Sequence, residues 1–125
     1  MTDIVSAARR IIDAYNAKDF DYLESALAPD LAFSHFNRNY TLDTRTEFLA
    51  LLRTGAYETF PGRRYSPAEC VTADNGVVVR ESWWRGDFEA DLPGIAVAGD
   101  VLSMKLCTVF QFDADGLLIR WSDYG

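Results

Sequence analysis

Apolar residues recur at helical spacing over 3–18, DIVSAARRIIDAYNAK, where Ile4, Ala7, Ala8, Ile11, Ile12 and Tyr15 share one face. Thr2 or Asp3 is placed to cap the start. The next segment, DFDYLESALAPD, predicts a second, shorter helix. Asp21 and Glu24 stand at capping-box spacing, and Pro29 marks the stop. LAFSHF (31–36) alternates as a strand does. TRTEFLALLRTG (44–55) predicts a third helix, opened by a Thr44/Glu47 capping box and closed at Gly55.

Beyond Gly55 the pattern turns to β. Residues 63–72 lead to DNG (74–76), a hairpin signal, and VVVRESWWRGDF (77–88) is the return strand. A loop with Pro93, Gly94 and Gly99 precedes VLSMKLCTVFQF (101–112), a strand by its β-branched and aromatic content. DADG (113–116) then turns the chain into LLIRWSDY (117–124). Two helices, a strand, a helix and a four-strand antiparallel meander predict an α+β fold. The expected form is a curved antiparallel β-sheet wrapped around three N-terminal helices, a cone with an apolar pocket. No repeat or linker interrupts the 125 residues, which read as a single domain.

Composition narrows the partners. Nineteen acidic residues against twelve basic ones give a net charge of −7. That disfavours nucleic acid, which is bound through Lys and Arg on phosphates, and it disfavours anionic membranes. No apolar run approaches the ~20 residues of a membrane span. The opening MTDIVSAARR lacks a signal peptide's apolar stretch, so a cytoplasmic location is expected. Cys70 and Cys107 are expected to be reduced core residues rather than a disulfide. With one histidine and two distant cysteines, no metal site is expected.

Strand alternation sorts the candidate chemistry. His35 shares a face with Phe33, and Asp123 with Trp121. Thr108 shares one with Met104, Leu106 and Phe110, and Ser82 with Arg80 and Trp84. The combined lining is aromatic and aliphatic with a few polar groups. That suits a pocket for a small apolar molecule and equally suits a plain core. Trp83 and Trp84 must face opposite sides, one inward and one onto an outer face that homodimerisation would cover. His35 alone has an ordinary pKa near neutrality, ~6.5.

Two stretches carry a resemblance. AYNAKDFDYLESALAPDLAFSHF and CTVFQFDADGLLIRWSDY are similar to the opening and closing segments of the nuclear-transport-factor-2-like superfamily. Its members include SnoaL-like polyketide cyclases, ketosteroid isomerases and limonene-epoxide hydrolases. The resemblance implies the cone fold and homodimers through the sheet. It places the hydrolase water-activating acid on Asp123 and the isomerase general base on His35. The isomerase oxyanion acid falls on Thr108, and its helix-1 tyrosine falls near Ile11. The hydrolase Arg/Asp pair falls on Ser82 and Trp84, and its Tyr/Asn pair on Phe33 and His35, a departure from the pattern that mechanism uses.

The expected function is cofactor-independent acid/base chemistry on a small, mostly apolar molecule: isomerisation, cyclisation, dehydration or hydration. His35 and Asp123 are the candidate catalytic pair, with Asp123 orienting the imidazole. Phe33, Arg80, Ser82, Trp84, Met104, Leu106, Thr108, Phe110 and Trp121 are the candidate substrate contacts, Thr108 or Ser82 donating to a substrate oxygen. The alternative is a non-catalytic ligand-binding or dimerisation module on the same fold.

Overall fold

Asp3 opens the first helix, α1 (Ile4–Ala17), its carboxylate accepting from the backbone N–H of Val5 and Ser6 at 3.1 and 3.3 Å. The computed structural model describes residues 3–125; Thr2, the other candidate cap, lies outside the described residues. Lys18 ends α1 at φ 59°, and Ala7, Ala8, Ile11 and Ile12 face the core as their spacing predicts. The second helix, α2 (Phe20–Ala26), is capped by Asp19, which accepts from Tyr22 N–H, rather than by the expected box from Asp21.

That helix stops sooner than expected. Leu27–His35 form β1, so Pro29 lies within a strand and not at a helix end. The register of β1 is broken between Leu27 and Ala32, and residues 29 and 30 are exposed. A missing N–H costs no ladder hydrogen bond at such a break. A 3₁₀ turn (Phe36–Arg38) leads to a short edge strand, β2 (Tyr40–Leu42), which the sequence pattern did not announce.

The third helix, α3 (Arg45–Thr54), carries its capping box as expected: Thr44 Oγ1 accepts from Glu47 N–H at 3.1 Å and donates to Glu47 Oε1 at 2.9 Å. Gly55 does not close it. The backbone continues at φ −60° into a π-helical turn, Gly55–Thr59. A Cβ at Gly55 would press on the Phe60 ring at 2.9 Å, so the glycine makes room for that ring instead of ending the helix.

The expected 63–72 strand is two strands, β3 (Arg64–Tyr65) and β4 (Cys70–Asp74), separated at Pro67. Both pair with β5 (Val77–Asp87). Strands β6 (Val101–Phe112) and β7 (Leu118–Tyr124) complete the meander, with β4, β5, β6 and β7 antiparallel in turn. Asn75 and Gly76, at φ 51° and 76°, form the hairpin turn that DNG signals.

One sheet of seven strands results, ordered β2-β1-β7-β6-β5-β3 with β4 also on β5. It is mixed, not antiparallel: β1 runs parallel to β7. Those strands come from opposite ends of the chain, and no local pattern encodes their pairing. The α+β cone is otherwise as expected, with the helices on the concave face. Along β5 the inward residues Val78, Arg80, Ser82, Trp84 and Gly86 are buried, and Glu81, Trp83 and Arg85 face out. Cys70 is exposed and Cys107 half-buried, which corrects the expectation that both sit in the core; they are unpaired. Among the described residues no helix is long and apolar enough to cross a membrane.

Candidate functional site

The sheet register places four polar side chains in one row across its concave face. Arg80 of β5 is opposite Thr108 of β6, Thr108 is opposite Asp123 of β7, and Asp123 is beside His35 of β1. An apolar row lies next to it: Val78, Phe110, Trp121 and Phe33. Neighbouring strands are about 4.8 Å apart, so each polar group has the next within side-chain reach.

Asp123 is the centre of the row. It is 2% exposed, and both carboxylate oxygens are engaged. Thr108 Oγ1 donates to Oδ1 at 2.5 Å, and Tyr65 Oη donates to Oδ2 at 2.8 Å. The Trp121 indole N–H comes close enough to favour the charge without closing a hydrogen bond. Burial pushes the Asp123 pKa up to about 6, against the pull of these donors and the more distant Arg80 cation. At pH 7 about one carboxyl in ten is then protonated. This is the tuning that lets one group give and take protons near neutrality.

Tyr65 was not among the sequence candidates. Helix α1 places it: Asn16 accepts from Tyr65 N–H and donates to Tyr65 C=O, each at 2.9 Å. Its ring meets Tyr15 edge-on at 4.9 Å. Tyr15 Oη in turn accepts from Trp84 Nε1–H at 3.0 Å. Burial and the Asp123 charge hold the Tyr65 hydroxyl well above its ordinary pKa, so it stays a donor. A tyrosine in a two-residue strand, clamped by an asparagine 49 positions earlier, leaves no periodic signature.

His35 does not pair with Asp123. Both ring nitrogens are buried and lack any partner. Burial and the nearby Arg38 cation lower its pKa, with its own carbonyl pulling weakly the other way. The imidazole is therefore neutral at pH 7. The expected orientation of His35 by Asp123 is not formed; the carboxylate is held by Tyr65 and Thr108 instead.

A cavity of about 130 Å³ opens over the Asp123–His35 end of this row. Seven of the sequence candidates line it: Phe33, His35, Trp84, Met104, Leu106, Trp121 and Asp123. Tyr15, Arg38, Tyr40, Phe48, Phe60 and Tyr65 join them unforeseen. Four candidates do not line it. Thr108, Ser82 and Phe110 face inward as alternation requires, but they are fully buried behind other groups. Phe110 packs edge-on against Trp121 at 4.8 Å, and Ser82 accepts from Arg80 Nη1–H at 3.2 Å. Arg80, 6% exposed, lines a second, more polar hollow with Arg9, Asp13 and Arg64. Thr108 and Ser82 thus shape the site from behind and are not placed to donate to a substrate oxygen. Among the described residues no group of three His, Cys, Asp or Glu side chains is arranged to hold a metal ion.

A family model described as the SnoaL-like domain matches residues 8–121. No curated protein matches the sequence. Several solved structures share the fold. An epoxide hydrolase of Mycobacterium tuberculosis, LEH-like, superposes with a TM-score of 0.74 at 21% identity, covering 95% of this chain and 75% of that one. A SnoaL-like polyketide cyclase of Agrobacterium tumefaciens gives 0.77 at 14%, covering 98% and 91%. An NTF2-like protein of unknown function from Burkholderia pseudomallei gives 0.76 at 19%, covering 98% and 90%.

Proposed function

The chain belongs to the SnoaL-like domain family, and on that premise we propose that it is a cofactor-independent enzyme that moves a proton on a small, mostly apolar molecule. Asp123 is the acid/base. The observation that carries this reading is a single fully buried carboxyl, with a pKa near 6, facing an apolar cavity. As the carboxylate it takes a proton from carbon next to a carbonyl; as the acid it returns the proton elsewhere on the same molecule. Such a step serves isomerisation, cyclisation, dehydration or hydration. Tyr65 and Thr108 hold the carboxyl in place and steady its charge. His35 offers a neutral imidazole from the neighbouring strand. The setting proposed is cytoplasmic, as a homodimer joined through the outer face of the sheet.

One observation favours a second reading. Both Asp123 oxygens already have partners inside the fold, as they would in a cavity that binds without reacting. Proton exchange separates the two. Small cyclic ketones in deuterated buffer report loss of their α-hydrogens by NMR. The enzyme reading expects exchange that depends on the protein and falls on the order of 10²–10⁴-fold in Asp123→Asn. Ketones that bind without protein-dependent exchange would establish the binding module instead.

A further inference from the structure

Two polar groups of the cavity are poorly served by the fold, and both stand on the same stretch of chain. His35 has two buried ring nitrogens without a hydrogen bond. Arg38, three residues on, also lines the cavity. Its one side-chain hydrogen bond is from Nη2 to the Met104 thioether sulfur, at 2.8 Å. A thioether is a weak acceptor for a charged donor. Among the described residues no carboxylate lies within ion-pair distance of Arg38; the two ion pairs present are Arg85–Asp87 and Lys105–Glu69. Buried polar groups are ordinarily satisfied, so the two partnerless His35 nitrogens, beside a guanidinium bonded only to a thioether, leave room for a ligand group.

The missing group must accept from a guanidinium and also engage a neutral imidazole. An ionised oxygen does both, because it accepts charge-assisted hydrogen bonds from Arg and an N–H from His. Apart from Asp123 the remaining wall is aromatic and aliphatic, with Phe33, Phe48, Trp84 and Leu106 among its residues. Its volume of about 130 Å³ is near that of an apolar cavity that takes one benzene ring.

We propose that the ligand of this cavity is a ring-sized apolar molecule bearing one anionic oxygen group, a carboxylate or an enolate, held by Arg38 and His35. This rests on the pocket reading above and names the substrate class for it. The anion binds at the β1 end of the polar row, which leaves Asp123, one strand away, to face the neighbouring carbon. Arg38 is a binding and specificity residue here, offsetting the approach of an anion to a carboxyl that shares its own charge with Tyr65 and Thr108.

Sodium benzoate and benzamide test it, since they share a ring and differ in charge. Both are titrated into the full chain at pH 7.5, with the single histidine ring and the backbone amides followed by NMR. Benzoate is expected to bind about tenfold tighter than benzamide, as a charge-assisted pair requires. Arg38→Gln should erase that preference by weakening benzoate far more than benzamide, and Arg38→Lys should restore most of it. Equal affinities in the wild type, or a preference that survives in Arg38→Gln, would overturn the inference and leave the apolar pocket standing. Binding of neither probe at this cavity would overturn both.

Discussion

Burial raises the Asp123 pKa to about 6, and Thr108 and Tyr65 limit the rise by donating to the charged form. The unfolded chain has the ordinary carboxyl value near 3.8, so the folded protein holds this proton the more tightly. The stability that follows is present in full only well below pH 3.8 and is lost as pH rises through 6, a total change of about 3 kcal/mol. His35 acts with the opposite sign, because its folded pKa is depressed and its contribution grows as pH rises towards 6.5. Comparison with Asp123→Asn isolates the carboxyl. In urea denaturation, wild-type stability relative to the variant is expected to fall by about 2 kcal/mol between pH 4 and pH 7. A difference that stays flat would mean that burial does not tune this group, and the acid/base role would lose its basis. Tyr65→Phe removes one donor to the charged form and should move the same transition upward by about one pH unit.

The next scale is that of β5 and the strands beside it. Trp84 forms much of the cavity wall, edge-on to Phe60 at 5.2 Å and bonded to Tyr15. Its ring lies over Gly86, two residues along the same face, where a Cβ would collide with it. Gly86→Ala therefore forces either the ring or the strand to move. Overpacking of this kind costs about 1–3 kcal/mol, and displacement of the indole should change the tryptophan emission. Urea denaturation with fluorescence detection reads both, and an unshifted midpoint with unchanged emission would refute the close packing. The glycine itself was visible in WWRGDF, but its purpose was not, because the requirement arises from a folded-back ring. The same contrast runs through the other elements. Helices α1 and α3 and the β5–β6–β7 hairpins were legible because caps, turns and periodicity are local. The early end of α2, the split at Pro67 and the clamp of Asn16 on Tyr65 were not, because each is decided by a partner distant in sequence. For the site, alternation identified the inward face correctly. It could not tell which inward residues remain open to a cavity and which, like Thr108 and Phe110, are covered by their neighbours.

At the scale of the whole molecule, the parallel pairing of β1 with β7 joins strands far apart in sequence and brings His35 beside Asp123, so the site exists only in the completed sheet. The helices cover one face of that sheet, and the other is left to solvent. Val77, Val79 and Val109 are half-buried there, Trp83 is 43% exposed, and Tyr124 is 39% exposed. A net charge of −7 opposes self-association in general, but on this face Lys105 and Glu69 neutralise each other at 3.1 Å. Glu81 stands exposed between Val79 and Trp83, but the apolar stripe around it is the surface a second copy of the chain would cover. Light scattering at micromolar concentration is expected to give twice the 14.1 kDa of one chain. Trp83→Glu places a carboxylate at the centre of the stripe, where burial against a partner would leave it unpaired. It should return the protein to 14.1 kDa, and because Trp83 contributes nothing to the inner core, the unfolding of the monomer should remain cooperative. A wild-type mass of one chain would show instead that the stripe is simply exposed, and that the cavity on the opposite face functions without a partner.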